Sequence, residues 1–121
     1  MTSVDLSAFQ MKASDRLPSL VVGLEFNDNT QVSSTDLANA TSIVLKLKNI
    51  DTGTIIIGNM SHLTGDSYFP NDNAVKYDWQ EDDTNEAGIY IGEIVVTFAD
   101  SKTMTFPNNS RFVVQINAQL S

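Results

Sequence analysis

Residues 77–100 read YDWQEDDTNEAGIYIGEIVVTFAD. The stretch sets five acids, Asp78, Glu81, Asp82, Asp83 and Glu86, between a tryptophan and a run of alternating apolar residues. Gathered in space, those acids would form an oxygen-rich cation site or a catalytic pair. Spread along a turn, they only carry the chain from one strand to the next. The flanks favour the turn. Alternate side chains of an extended strand point to opposite faces. Tyr90, Gly92, Ile94, Val96 and Phe98 therefore share one face, as do Val75, Tyr77 and Trp79 before the acids.

The same period of two recurs along the chain. SLVVGLEF aligns Leu20, Val22, Leu24 and Phe26, and TSIVLKLKNI aligns Ile43, Leu45 and Leu47 against Val44, Lys46 and Lys48. RFVVQIN aligns Phe112, Val114 and Ile116. In the shorter windows GTIIIG and KTMTF, the expected inward residues are Ile55 with Ile57 and Met104 with Phe106. SAFQMKA reads as an N-terminal edge strand. Clusters of Asn, Asp, Gly, Ser and Pro separate these runs at NDNT (27–30), NIDTG (49–53), PNDN (70–73), ADSK (99–102) and PNN (107–109). Such residues tolerate left-handed backbone or nucleate Asx turns. SSTDLANA (33–40) offers one capped helical turn that tucks Leu37 and Ala40 under the sheets. Residues 60–70 read as irregular or as a broken strand. About seven to eight short strands with frequent turns predict an all-β, antiparallel sandwich or barrel. A chain of 121 residues fits one domain over 1–121, with 1–14 as an arm or edge strand.

Composition narrows the function. The formal net charge is −8, which repels phosphate backbones and argues against nucleic acid as a partner. No polybasic cluster or long apolar run points to a membrane. With no cysteine and one histidine, thiolate zinc sites, cysteine nucleophiles and His-pair metal motifs are excluded, and no cofactor is expected. MTSVDLSAFQ lacks the basic and apolar segments of a signal peptide.

The candidate chemistry is thin. The order of the five acids does not match the calcium loop D-x-[DN]-x-[DN]-G-x₅-E. The expected role for Asp82 or Asp83 is to accept backbone N–H bonds within a solvated turn. Glu93 falls on the face opposite Tyr90 with no second acid to complete a glycosidase pair. His62 has no nucleophile or acid at diagnostic spacing and reads as a surface or edge residue. No catalytic residue is assigned. Tyr68 and Phe69, in GDSYFP, form the exposed aromatic pair that a carbohydrate-binding sandwich would use.

The segment from Asp83 through Gly88 to Tyr90 resembles the tyrosine corner of immunoglobulin-like sandwiches. There a tyrosine opens a strand two residues before a cysteine, and its hydroxyl bonds back to the turn. Here Gly92 stands at the cysteine position, and Trp79 lies on the preceding strand, capping one end of the core. Trp79, Asp83, Gly88 and Tyr90 are thus the expected structural corner.

Longer phrases resemble the immunoglobulin-like domain at the N-terminus of phage baseplate upper proteins and related small tail or virion proteins. They are Asp15 to Pro18, Asp36-Leu37 with Ala40-Thr41, the corner from Val75 to Tyr90, and the hairpin from Val96 to Asn108. The match spans residues 15–117. In this chain Ser101 stands where the family hairpin has glycine, and the long C-terminal extension of the family member with a named role is not expected here. The resemblance implies a non-enzymatic virion protein of a tailed phage, assembled in the host cytoplasm. It implies a place in the tail, baseplate or fibre attachment, with neck or capsid decoration (a head fibre) as the alternative and a carbohydrate-binding module as the competing class. The partners implied are other virion proteins, through homo-oligomers or repeated copies on a symmetric partner. The apolar residues expected on outer faces for lateral packing are Val21, Val44, Ile56 and Val113.

Overall fold

The computed structural model describes residues 9–26, 30–107 and 112–120. The N-terminal arm before Phe9 and the turns expected at 27–29 and 108–109 lie outside them. Two sheets form a β-sandwich. In chain order the strands are β1 (Phe9–Lys12), β2 (Leu20–Gly23), β3 (Ser42–Asn49), β4 (Ile55–Asn59), β5 (Ser61–Leu63), β6 (Ala74–Tyr77), β7 (Gly88–Thr97), β8 (Thr103–Phe106) and β9 (Phe112–Asn117). The larger sheet runs β1-β9-β7-β3-β4, with β8 also on β7, and the smaller runs β2-β6-β5.

Strand β7 organises the larger sheet. All ten of its residues lie beside β3 or its partners on the other flank, where Gly88–Gly92 pair with β9 and Ile94–Thr97 pair with β8. The 97–103 connection is a hairpin closed by Phe98 N–H to Lys102 O at 2.8 Å. Ser101 takes φ of +70° there, the left-handed backbone that glycine would adopt more freely.

The alternation read from the sequence sets the inward faces. Ile43, Leu45, Leu47, Tyr90, Ile94, Val96, Val114 and Ile116 are buried in the larger sheet. Leu20, Val75, Tyr77 and Trp79 meet them from the smaller sheet's side. The short helix α1 (Ser34–Ala38) is capped by Ser33, whose hydroxyl accepts from Asp36 N–H, and it buries Leu37.

Four details depart from the expectations. The described residues hold nine strands rather than seven or eight, because residues 61–63, in the stretch read as irregular or as a broken strand, form a short strand that pairs with β6. One pair is parallel: β1 runs along β9 in register Phe9↔Val114 to Lys12↔Asn117, while the other pairs are antiparallel. The phase of β4 is the reverse of the one expected. Ile56 is buried at 6 % exposure, whereas Ile55 and Ile57 stand 57 % and 60 % exposed. The outward residue at that strand is therefore not Ile56. Three consecutive isoleucines carry no alternation. Their phase comes from the pairing Leu47↔Ile56, which puts Ile56 on the same face as buried Leu47. Finally, Val21, Val44 and Val113 are half-buried rather than fully outward.

Candidate functional site

Four of the five acids of the opening stretch are held individually. Asp78 accepts from Ser19 Oγ at 2.6 Å and pairs with Lys76 at 3.7 Å. Asp82 sits at φ of +72° and accepts from Asn85 Nδ2 at 2.8 Å. Asp83 Oδ2 accepts from the Tyr77 hydroxyl and, at 2.8 Å, from Gln80 N–H. Glu86 Oε1 accepts from Thr52 Oγ1 at 3.1 Å and Asn49 Nδ2 at 3.3 Å. Glu81 is exposed. Among the described residues, no three acids or histidines converge as a metal ion would require. The turn is built by its own carboxylates, and Asp83 is the one that takes backbone N–H.

The corner assembles around them. Tyr90 is fully buried, and its hydroxyl donates to Glu86 O at 2.8 Å, four residues upstream. Gly88 has φ of +151°, and a Cβ there would stand 2.5 Å from Asn49 Nδ2, so both backbone and space require glycine. A Cβ at Gly92 would meet Leu47 and Phe112, which fill the volume beside Tyr90. Trp79 is 1 % exposed and donates its indole N–H to Pro18 O at 3.0 Å. It packs edge-on against Tyr77, with ring centroids 5.3 Å apart, and against Phe9 at 6.2 Å. The loop is further tied down by Ser14 N–H to Thr84 O at 2.9 Å and Thr84 Oγ1 to Asp15 O at 2.6 Å.

Burial raises the pKa of both corner tyrosines. For Tyr77, the Asp83 carboxylate that accepts its hydroxyl adds to the rise. For Tyr90, burial leads, the Asn49 amide opposes it, and the Glu86 carboxylate adds to it. Both hydroxyls therefore stay protonated donors well past neutrality.

Two residues central to this arrangement were not singled out by pattern reading. Asn49 is buried at 1 % exposure, and its Oδ1 accepts from Asp51 N–H at 2.9 Å and Thr52 N–H at 3.1 Å. Its Nδ2 then reaches Glu86, joining the β3–β4 turn to the acidic loop. The turn signal in NIDTG was legible; the partner 37 residues away was not. Tyr77 is the other: its alternation marked it as core, but nothing marked its hydroxyl as the partner of Asp83.

The remaining candidates stay apart. Tyr68 is 85 % exposed, but Phe69 folds down over Gly23, where a Cβ would lie 2.5 Å from its ring. The aromatic pair thus offers one open platform. His62 is half-buried on edge strand β5, with Nε2 2.7 Å from Asp72 O. Glu93 is exposed and opposes Lys46 across the β3–β7 ladder. Beside the corner, an open cleft of about 380 Å³ separates the acidic loop from β4. Among the described residues, no helix is long and apolar enough to cross a membrane.

No family model matches the chain, and no curated protein matches it. Among solved structures, it is similar to CopC from Methylosinus trichosporium OB3b, with a TM-score of 0.48 and 13 % identity over 94 % of this chain and 87 % of that one.

Proposed function

We propose that this chain is a non-enzymatic structural protein of a tailed-phage virion, acting in the tail, baseplate or fibre attachment through protein–protein contacts. The observation that carries the reading is where the resembling phrases go in three dimensions. The Asp15–Pro18 segment is tied to the corner, the hairpin continues the strand that the corner opens, and most of the acids of the turn bond to the chain itself. That is the economy of a building block, whose exposed sheet faces and edges do the work. Its partners are other virion proteins, met as a homo-oligomer or as repeated copies on a symmetric partner. Neck or capsid decoration is the variant of the same role.

Peptide mass spectrometry of gradient-purified particles, followed by cryo-electron microscopy, tests this. The chain should be present at a fixed stoichiometry and occupy sandwich-shaped density. Its absence from particles that assemble normally would refute the role. The exposure of Tyr68 supports one further reading, a carbohydrate-binding module. A glycan array in which binding is lost on Tyr68→Ala would favour that reading over the virion role.

A further inference from the structure

We infer that the open edge of β4 is a strand-docking site whose occupant is an extended basic segment of another protein, alternating apolar and Lys/Arg residues. The inference holds whatever assembly that protein belongs to.

The hydrogen-bond phase comes first. Asn49 N–H donates to Thr54 O at 2.8 Å and Met60 N–H to Ile43 O at 2.7 Å. With the register Leu45↔Gly58 and Leu47↔Ile56, these bonds turn the even-numbered residues of this stretch toward β3. Ile55, Ile57 and Asn59 therefore aim their N–H and C=O groups away from β3, where β4 is the last strand of its sheet. These groups make no hydrogen bond to a described residue.

Natural sheets blunt such edges with Pro, Lys, bulges or very short strands. The other edges carry such devices. β8 is bounded by Lys102 and Pro107, β1 contains Lys12, β2 follows closely on Pro18, and β5 is three residues long. β4 reads IIIGN and has none of them, and it exposes Ile55 and Ile57 beside amides that bond to no described residue. An incoming strand would satisfy those amides and cover the isoleucines at once, as in β-strand addition.

Charge identifies the occupant. The acidic loop lies on the inner flank of the same edge. The Tyr77 hydroxyl fixes this, because it donates to Asp83 and lies 2.6 Å from where a Cβ at Gly58 would be. The cleft between β4 and the loop is lined by Glu81, Asp82, Asp83 and Glu86 on the loop side. A strand laid along β4 would turn alternate side chains toward those carboxylates and the others toward Ile55 and Ile57. The first set must be cationic and the second apolar. Lys46 and Lys48 lie across the ladder from Ile57 and Ile55, on the outer face, so they do not neutralise the loop side. A second copy paired through β4 would bring two acidic loops of a chain of net charge −8 against one another, which disfavours that occupant.

The probe is a fluorescein-labelled, end-capped nonapeptide alternating Val and Lys, with a Val/Glu peptide and a composition-matched scramble as controls. Anisotropy at low and physiological salt should show the Val/Lys peptide binding at least tenfold more tightly than either control, and more weakly as salt rises. Ile57→Pro removes an outward-facing N–H without breaking a β3–β4 ladder bond and should weaken binding at least tenfold. Ile57→Lys, a milder edge block, provides the same test if the proline variant does not fold. Glu81→Gln with Asp82→Asn should weaken binding severalfold and flatten the salt dependence. Amide exchange at Ile55, Ile57 and Asn59 should slow when the peptide binds. Three results would overturn the inference: equal binding of the Val/Glu peptide, no change in either Ile57 variant, or a sedimenting dimer of the chain alone that Ile57→Lys disrupts. The last would make the occupant a second copy.

Discussion

Asn49→Ala is the perturbation that probes the corner most directly. The wild-type side chain is buried and uses both ends of its amide. Oδ1 accepts two backbone N–H groups, and Nδ2 donates to Glu86 at the long distance of 3.3 Å. Each intramolecular hydrogen bond is worth about 0.5–1.5 kcal/mol net. Asp51 and Thr52 are exposed, so their freed N–H groups can turn to water, which places these two bonds near the lower end of that range. The bond to Glu86 is long but carries charge, and the truncation also leaves a small void. Together these terms give a loss of about 2–3 kcal/mol.

Urea unfolding followed through Trp79, the single tryptophan, measures this. With an m-value of roughly 1–3 kcal/mol/M for a small domain, the midpoint should fall by about 1–3 M. Asn49→Asp separates the two ends of the amide. It keeps an acceptor for Asp51 and Thr52 but sets a carboxylate against Glu86. Repulsion raises the pKa of the introduced carboxyl in the folded state. Its neutral form is therefore tolerated below about pH 4, and stability is lost as pH rises through the raised value. At pH 7 this variant should be less stable than Asn49→Ala; near pH 3.5 the gap should close. A loss under about 0.5 kcal/mol in Asn49→Ala, or an aspartate variant that gains stability relative to Asn49→Ala from pH 4 to 7, would refute the tie between turn and loop.

Three further outcomes follow from the same core. Trp79→Ala empties the volume between Tyr77 and Phe9 and should cost about 3–5 kcal/mol in thermal or urea unfolding, against a total of roughly 5–15 kcal/mol. Gly58→Ala drives a methyl into the Tyr77 ring and should cost about 1–3 kcal/mol by the same measurement, with no change at the Tyr90 corner. Tyr77 and Tyr90 both have pKa values raised above the ordinary 10.0, so the stability they contribute is complete below pH 10 and is lost as pH rises beyond it. Urea midpoints should fall between pH 9 and 11.5, and Tyr77→Phe with Tyr90→Phe should flatten that slope; an unchanged slope would place the alkaline sensitivity elsewhere.

What the sequence made legible follows from the reach of each signal. Strand β7 and its hairpin were readable because alternation over Gly88–Thr97 specifies which side faces the core, whatever lies opposite. The tyrosine corner was readable because donor and acceptor are four residues apart. Beyond that range the signals stop. The parallel pairing of β1 with β9 joins the two ends of the described chain and has no local mark. Asn49 announces a turn but not Glu86. The run IIIG is the sharpest case. Its composition says strand, yet three identical residues leave two phases equally good locally. The choice falls to Leu47 across one ladder and to Tyr77, which needs the space that Gly58 leaves open. That choice decides which isoleucines water sees. In this protein the phase of the β4 edge is therefore fixed by a ladder partner and by a contact from the opposite sheet, which is why alternating strands could be read from the sequence and this edge could not.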